Sequence, residues 1–473
     1  MKTILIIAAM LLSLTVSAVN VRDYGAKGDG ATLDHTAINA AISACASAGG
    51  GRVDVPAGVY LCGSIHLKSN VELHLDLGAK ILAAPASMKV YDESETFEGT
   101  AYQDGGHTYF HNSLLWAENQ ENISITGQGM IDGDGLTRHD TEKAGIISGG
   151  SIGTGDKAIA LKKCRNVLIR DITIFRGGHF AIIMTGCDNG TVDNVTIDTN
   201  RDGIDIDCCR FITVTNTKVN TPNDDAIVLK SSYALQKPVM CENIAITNCI
   251  VTGYKLGTYL DRTYIPEKVN WVCGRIKLGT ESNAGYRNIS ISNCTCEHSS
   301  GLAFEEVDQG IMENIAVSNI TMHHVHHYPI YITTGCRNRG PKDVTTPSRG
   351  RNISISNVVA DDVDSLAGII ITGMPDVPLK DIMLSNITIE YRGGVDKQTA
   401  ETLLTKTYRE QGTNYPEAKF AGHTPSYGLY ARHVDGLVVN TLVMKTKQKD
   451  YRQPVILEDV KNEHITNLFT YNE

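Results

Sequence analysis

This chain has little proline, no basic stripe and, beyond its first residues, no long apolar run. Only 13 prolines stand beside 44 glycines and many Asn, Thr, Ile and Val. That composition speaks against the two or three ordinary domains that 473 residues would permit. A net charge of −10 without a basic stripe argues against a nucleic-acid partner. It leaves an acidic ligand open, because a cleft can be basic inside an acidic protein. No segment after residue 18 reaches the roughly 20 apolar residues needed to span a bilayer, so no membrane anchor is expected. The residue after Ala18 is not Cys, so no bacterial lipid anchor is expected. The 12 cysteines fit no zinc-ligand spacing, and Cys208 and Cys209 are adjacent. They read as small apolar residues stacked in a core, with a few bridges.

What the first 18 residues do contain is a positive Lys2, an apolar stretch from Ile4 to Leu14, and a small-residue site at Val16-Ser17-Ala18. This is the pattern of a cleavable export signal. The expectation is a signal segment over 1–18 and a secreted or periplasmic monomer over 19–473, forming one catalytic domain.

A nine-residue unit recurs, roughly Asn-Φ-x-Φ-x-(Asn/Asp)-Φ-x-Φ, where Φ is apolar. It starts at Asn122, Asn166, Asn189, Phe211, Asn243, Asn288, Asn314, Asn352, Asp381 and Gly436. Alternation at period two marks strands with one buried face, and the small polar sixth residue breaks it as a bend would. The shortest intervals are 22 and 23 residues, and longer ones carry excess chain. A fixed minimum with variable excess is the signature of stacked coils with loop insertions. The predicted fold is therefore all-β, a single-stranded right-handed parallel β-helix in which Asn side chains form ladders at the turns. The repeat itself generates the N-x-S/T sequons, so they are weak evidence for glycosylation.

Residues 19–60 predict an N-terminal cap and first coil. An amphipathic helix there has Thr32 or Asp34 at its start, Ile38, Ile42 and Cys45 inward, and Gly49–Gly51 as its stop. It would cover an otherwise open sheet edge. Two stretches lack the repeat, about 84–118 and 395–428, and are expected as loop insertions beside a groove.

The acidic stretches "NRDGIDID" from Asn200 and "DDAIVLKSS" from Asp224 align at an offset of 23, pairing Ile204 with Ile227 and Ile206 with Leu229. Asp202 then lies one coil from Asp225, about 4.8 Å away along the ladder. Stacked like charges raise one another's pKa, which a fold has no use for and a glycosidase does. A single Asp at a corner often only satisfies backbone amides, but three in register are harder to explain that way. Asp207 shares a row with Lys230, which suggests a structural ion pair.

These motifs resemble the Asn-Thr-Asp-Gly and Asp-Asp motifs of glycoside hydrolase family 28, the polygalacturonase and rhamnogalacturonan hydrolase family. "VRDYGAKGDGATLDHTAINAAI" and "GRIKLGTESNAGYRNISISNC" are similar to its bacterial members, and the likeness runs across nearly the whole mature chain. The resemblance implies a right-handed β-helix that cleaves pectic polysaccharide with inversion and uses no metal or other cofactor. It implies Asp224 as general acid, with Asp202 and Asp225 activating water. This chain departs from the family downstream. Gly274 stands where a His is expected, and Ala303 and Glu305 occupy the positions of the cations that grip galacturonate. Arg275 and Lys277 come one coil early, and Arg201 replaces a Thr. With Lys230, His179 and Glu305 these form the expected substrate-binding set. The departures point away from plain polygalacturonate toward rhamnogalacturonan or another branched pectin.

"MHHVHHYP" supplies His323, His324, His326 and His327. On a strand His324 and His326 would share one face and His323 and His327 the other, so no compact metal set is expected. Tyr259, Tyr264 and Trp271 are placed to stack on a sugar. Two other classes fit the β-helix: a polysaccharide lyase, which Arg275 and Lys277 keep open, and a non-catalytic glycan-binding protein.

Overall fold

The computed structural model describes residues 18–103, 105–137, 152–268, 272–343, 346–406, 408–418 and 422–472. Nearly all of the expected signal segment, and Trp271, lie outside them.

The alternating units form parallel strands, each paired with its equivalent on the neighbouring coil. One turn contributes Phe180–Thr185, Asp188–Asp193 and Thr196–Asp198. These pair in parallel with Asp202–Asp207, Arg210–Thr215 and Lys218–Asn220 of the next turn. Repetition of this step produces the right-handed parallel β-helix that the periodicity predicts. From Gly285 onward the second and third strands of a turn run together, as in Gly285–Glu297 and Ile311–His323.

Inward residues stack like on like. Leu115, Ile159, Ile182, Ile204, Ile227, Ile276, Leu302 and Ile330 form one column, each the register partner of the next. One apolar core continues from Val21 to Met444. Burial of this kind contributes about 25 cal/mol per Å² of apolar surface and dominates the stability of such a fold. The twelve cysteines are all free thiols, eleven of them buried, so the expected bridges do not form. Cys164, Cys187 and Cys209 belong to one such column: the amide of Asp188 donates to the Cys164 carbonyl, and that of Arg210 to the Cys187 carbonyl.

The asparagines have a backbone reason as well as a side-chain one. Every unit begins in the left-handed region, from φ 53° at Asp381 to 59° at Asn189, with Gly436 at 87°. Asn tolerates that region better than other chiral residues, and a β-branched residue tolerates it poorly. Sixth-position residues such as Asp171, Asn194 and Asn293 do the same, at φ 67°, 53° and 54°. Their amides then link the coils. Asn189 Nδ2 donates to Asn166 Oδ1 and Asn166 Nδ2 to Asn122 Oδ1, both at 2.8 Å.

Near the N-terminus, the helix His35–Ser47 packs through Ile38, Ala41, Ile42 and Cys45 against strands including Gly51–Val55 and Ile65–His66. Asp34 precedes it without a side-chain cap bond; its carboxylate accepts from the Lys27 and Gly28 amides instead. The stretch 395–428 contains a short helix, Lys397–Thr405, started by Asp396 accepting from the Thr399 amide.

Candidate active site

Asp202 opens the strand Asp202–Asp207, and Asp224 and Asp225 immediately precede Ile227–Ser231 on the next coil. The register Ile204–Ile227 sets Asp225 one coil from Asp202, and the Gly203 amide donates to the Asp225 carbonyl. One oxygen from each of Asp202, Asp224 and Asp225 lies within 4.8 Å of the others. All three line a cavity of about 220 Å³.

Their surroundings drive them apart electrostatically. Burial, then the charge of Asp224, pushes Asp202 well above the usual carboxylate range. Its Oδ1 is buried and has no hydrogen-bond partner among the described residues. Burial would raise Asp225 as well, but Arg275 and Lys277 outweigh it and hold that carboxyl below its ordinary value. Asp224 is the most open of the three, and Arg201 Nη2 lies 3.0 Å from its Oδ2.

The cations of the cavity are already engaged. Arg275 Nε donates to Asp225 Oδ1 at 2.5 Å, while its terminal nitrogens hold both oxygens of Glu417, at 2.5 and 3.1 Å, and the Tyr328 hydroxyl. Lys277 Nζ lies 3.4 Å from Asp225, 3.3 Å from Glu305 and 3.6 Å from Glu417. Lys230 Nζ lies 3.0 Å from Asp205 and 3.7 Å from Glu281. Arg339 Nη1 donates to Glu281 at 3.0 Å. Each Lys or Arg lining the cavity therefore has at least one carboxylate partner.

Several expected site residues take other places. Lys230 and Asp207 share a row, as aligned, but they form no ion pair with each other. The Lys230 ammonium reaches Asp205 and His107 Nε2, the latter at 3.0 Å. Asp207 instead accepts from the Ser232 hydroxyl at 2.6 Å and faces His107 Nδ1 at 3.7 Å. Glu305 is fully buried behind Lys277 and does not line the cavity; burial pushes its carboxyl up to about 7. His179 lines the cavity, stacked on Phe180 with ring centroids 4.3 Å apart. Tyr259 and Tyr264 pack edge to face on each other, and neither lines the cavity.

The histidine run also departs from expectation. Its strand ends at His323, and His324 turns into the left-handed region at φ 50°. Strand alternation therefore fails at this step, and His323, His324 and Glu297 each place a donor atom within 4.8 Å of the others.

Five titratable site residues escaped the sequence reading, Arg339 among them. The expected insertion at 84–118 ends in a coil strand, Leu115–Glu118, and His107 arrives from the loop before it; Tyr415 and Glu417 come from the stretch 395–428. Glu281 lies on the strand Ile276–Ser282. An acidic residue four positions after Lys277, within that strand, was the available signal for Glu281; the loops carry none.

Fold and acid cluster together define a parallel β-helix protein of the pectin-lyase-like kind. The chain belongs to the rhamnogalacturonase A/epimerase, pectate lyase-like family, whose model matches residues 18–255. It is 25% identical over 410 residues to an exo-poly-alpha-D-galacturonosidase of Dickeya chrysanthemi, covering 75% of this chain and 64% of that protein, just under two thirds. It is 23% identical over 400 residues to an exopolygalacturonase of Platanus acerifolia, covering 80% of this chain and 91% of that one. The family 28 exopolygalacturonase of Yersinia enterocolitica has the same fold, with TM-score 0.68 at 19% identity over 94% of this chain and 78% of its own. The likeness to glycoside hydrolase family 28 is thereby borne out. Among the described residues no helix is long and apolar enough to cross a membrane.

Proposed function

We propose that the chain is an exported glycoside hydrolase that cleaves pectic polysaccharide by acid–base catalysis at Asp202, Asp224 and Asp225. One observation carries this reading: three carboxylates from adjacent coils converge on one cavity, with Asp202 pushed up and Asp225 held down. Glycosidases need that division, one carboxyl keeping a proton while another stays ionised. The pectic substrate is supported by the names of the Dickeya and Platanus relatives.

Asp225, kept ionised by two cations, is placed to hold and polarise the attacking water, though the same cations weaken it as a base. Asp224, the most accessible, is the acid that would protonate the leaving oxygen. Burial gives the standing proton of the substrate-free site to Asp202, so the two roles need separating by experiment. The pH–rate profiles of Asp202→Asn and Asp224→Asn do this, because only loss of the acid removes the alkaline limb. Inversion is drawn from the family resemblance: the oxygens lie closer than the roughly 6.5–9.5 Å usual for inverting pairs. The anomer first released, read by NMR, tests it.

Within pectin we assign rhamnogalacturonan or another branched chain in preference to plain polygalacturonate. The support is that the cavity's cations are all committed to protein carboxylates, which leaves a galacturonate carboxylate to compete with Glu417 or Asp225. Losing one charge-assisted contact costs about 1.5–3 kcal/mol, at least about tenfold in affinity. Reducing-end release from a rhamnose-containing fragment, with little from unbranched polygalacturonic acid, is expected. Efficient cleavage of the homopolymer would instead favour the reading suggested by the two relatives' names. A lyase would release an ultraviolet-absorbing unsaturated product. Arg275 and Lys277 suit that chemistry poorly: burial would lower both, but the carboxylates around them outweigh it and favour the protonated forms.

A further inference from the structure

The strands Gly285–Glu297 and Ile311–His323 end at one corner of the helix, away from the acid cavity. Glu297, His323 and Asp361 are successive register partners there. The next residue on each coil, His298, His324 and Asp362, turns left-handed at φ 52°, 50° and 52°. Two columns thus run side by side, and imidazoles are enclosed by carboxylates from the coils before and after.

The spacing suits a metal ion. One donor atom from each of Glu297, His323 and His324 lies within 4.8 Å of the others. Glu297 Oε1 and His324 Nδ1 are 3.2 Å apart. A tetrahedral site with bonds of about 2.0–2.1 Å has donor–donor edges of about 3.3 Å. Asp361 Oδ1 lies 2.6 Å from His323 Nδ1, and Asp362 Oδ2 lies 3.5 Å from His324 Nε2. Outer carboxylates of this kind orient imidazole ligands and raise their basicity. The Tyr254 hydroxyl donates to Glu297 Oε1 at 3.3 Å, fixing the third donor.

Charge balance points the same way. Asp362 is neutralised by Arg392 at 2.9 Å and Lys447 at 3.1 Å. Among the described residues neither Glu297 nor Asp361 has a Lys or Arg partner. Two carboxylates without such a partner therefore face two imidazoles at a part-exposed corner.

We propose that Glu297, His323 and His324 bind one divalent transition-metal ion of the zinc type, oriented by Asp361 and Asp362. Two imidazoles and one carboxylate select zinc or a neighbouring first-row ion over calcium or magnesium, which take all-oxygen shells. The ion joins two consecutive coils directly and a third through the outer carboxylates. None of its ligands lines the acid cavity, so it is independent of the proposed catalysis.

The test is calorimetric titration of the chelator-treated full chain with zinc chloride alone, together with thermal melts. One ion per chain is expected, with a rise in Tm that calcium chloride does not reproduce. Glu297→Gln and the double change His323→Ala/His324→Ala should abolish binding, and Asp361→Asn should weaken it about tenfold. Asp202→Asn should bind as the parent does, and pectic-fragment hydrolysis should be unchanged in Glu297→Gln. Absence of heat and of any Tm rise overturns the proposal, as does zinc binding that survives Glu297→Gln or disappears with Asp202→Asn. If the double variant fails to fold, the near-isosteric Glu297→Gln decides.

Discussion

Replacing Glu417 by Gln would test whether the insertion at 395–428 is tied to the site by charge. Glu417 is 8% exposed and holds Arg275 through both oxygens, at 2.5 and 3.1 Å. Burial would raise its carboxyl, but Arg275 and then Lys277 outweigh burial and bring it down to about 2 from an ordinary 4.5. A folded-state pKa below the unfolded one means stability that is fully present above about 4.5 and fades as pH falls toward 2. At neutral pH that difference corresponds to about 3 kcal/mol. Removal of one member of a buried pair costs a similar amount, about 3–5 kcal/mol. Gln keeps the volume of Glu, so no cavity adds to the loss. Urea unfolding of Glu417→Gln at pH 7 should therefore show a deficit of about 3 kcal/mol, narrowing as pH falls below about 4.5. A deficit under about 0.5 kcal/mol at pH 7, the size of an ordinary surface change, would refute the argument. So would a deficit that does not change with pH.

Asp224→Asn should lower turnover by about 10²–10⁴-fold with an unchanged melting curve, as expected for loss of a general acid; near-parental activity would remove Asp224 from the mechanism. Asp202→Asn should be nearly inactive yet melt higher than the parent at neutral pH. Burial and the neighbouring Asp224 raise Asp202's folded pKa, so above the unfolded value of 3.8 the unfolded chain releases this proton more readily and stability is lost, a cost that Asn removes. A lower melting temperature would show that Asp202 holds the fold instead. Hydrolysis should survive exhaustive chelation, and loss that calcium restores would favour the lyase reading.

Periodic residues were legible and side-chain reach was not. Alternation and a 23-residue offset were enough to align Ile204 with Ile227, because strand pairing repeats the same backbone step at every coil. The acid cluster followed from that alignment. Lys230 shows where the reasoning fails. Its Cα shares a row with Asp207, but four methylenes carry the ammonium to Asp205, so a charge need not sit where its backbone does. His107 and Glu417 come from stretches without period, whose paths depend on contacts with the coils and not on the repeat. His324 fails for a third reason: one left-handed residue ends the alternation that had assigned neighbouring imidazoles to opposite faces.

A helix of parallel coils repeats each side chain at about 4.8 Å, which favours some residues in columns and penalises others. An amide carries both a donor and an acceptor, so Asn on Asn extends a ladder at no electrostatic cost. Asn223 Nδ2 donates to Asn200 Oδ1 on the same pair of coils that carries the acids. Two positions further along each coil the same step sets Asp202 against Asp225, and the identical geometry becomes repulsive. The surrounding protein resolves the conflict unequally. Arg275 and Lys277 stabilise the charge on Asp225, while buried Asp202 Oδ1 is left without a hydrogen-bond partner among the described residues. Asn at position 202 would relieve the repulsion and keep the shape of the column. A carboxyl at that cost is what the proposed proton transfer requires, since an amide cannot perform it.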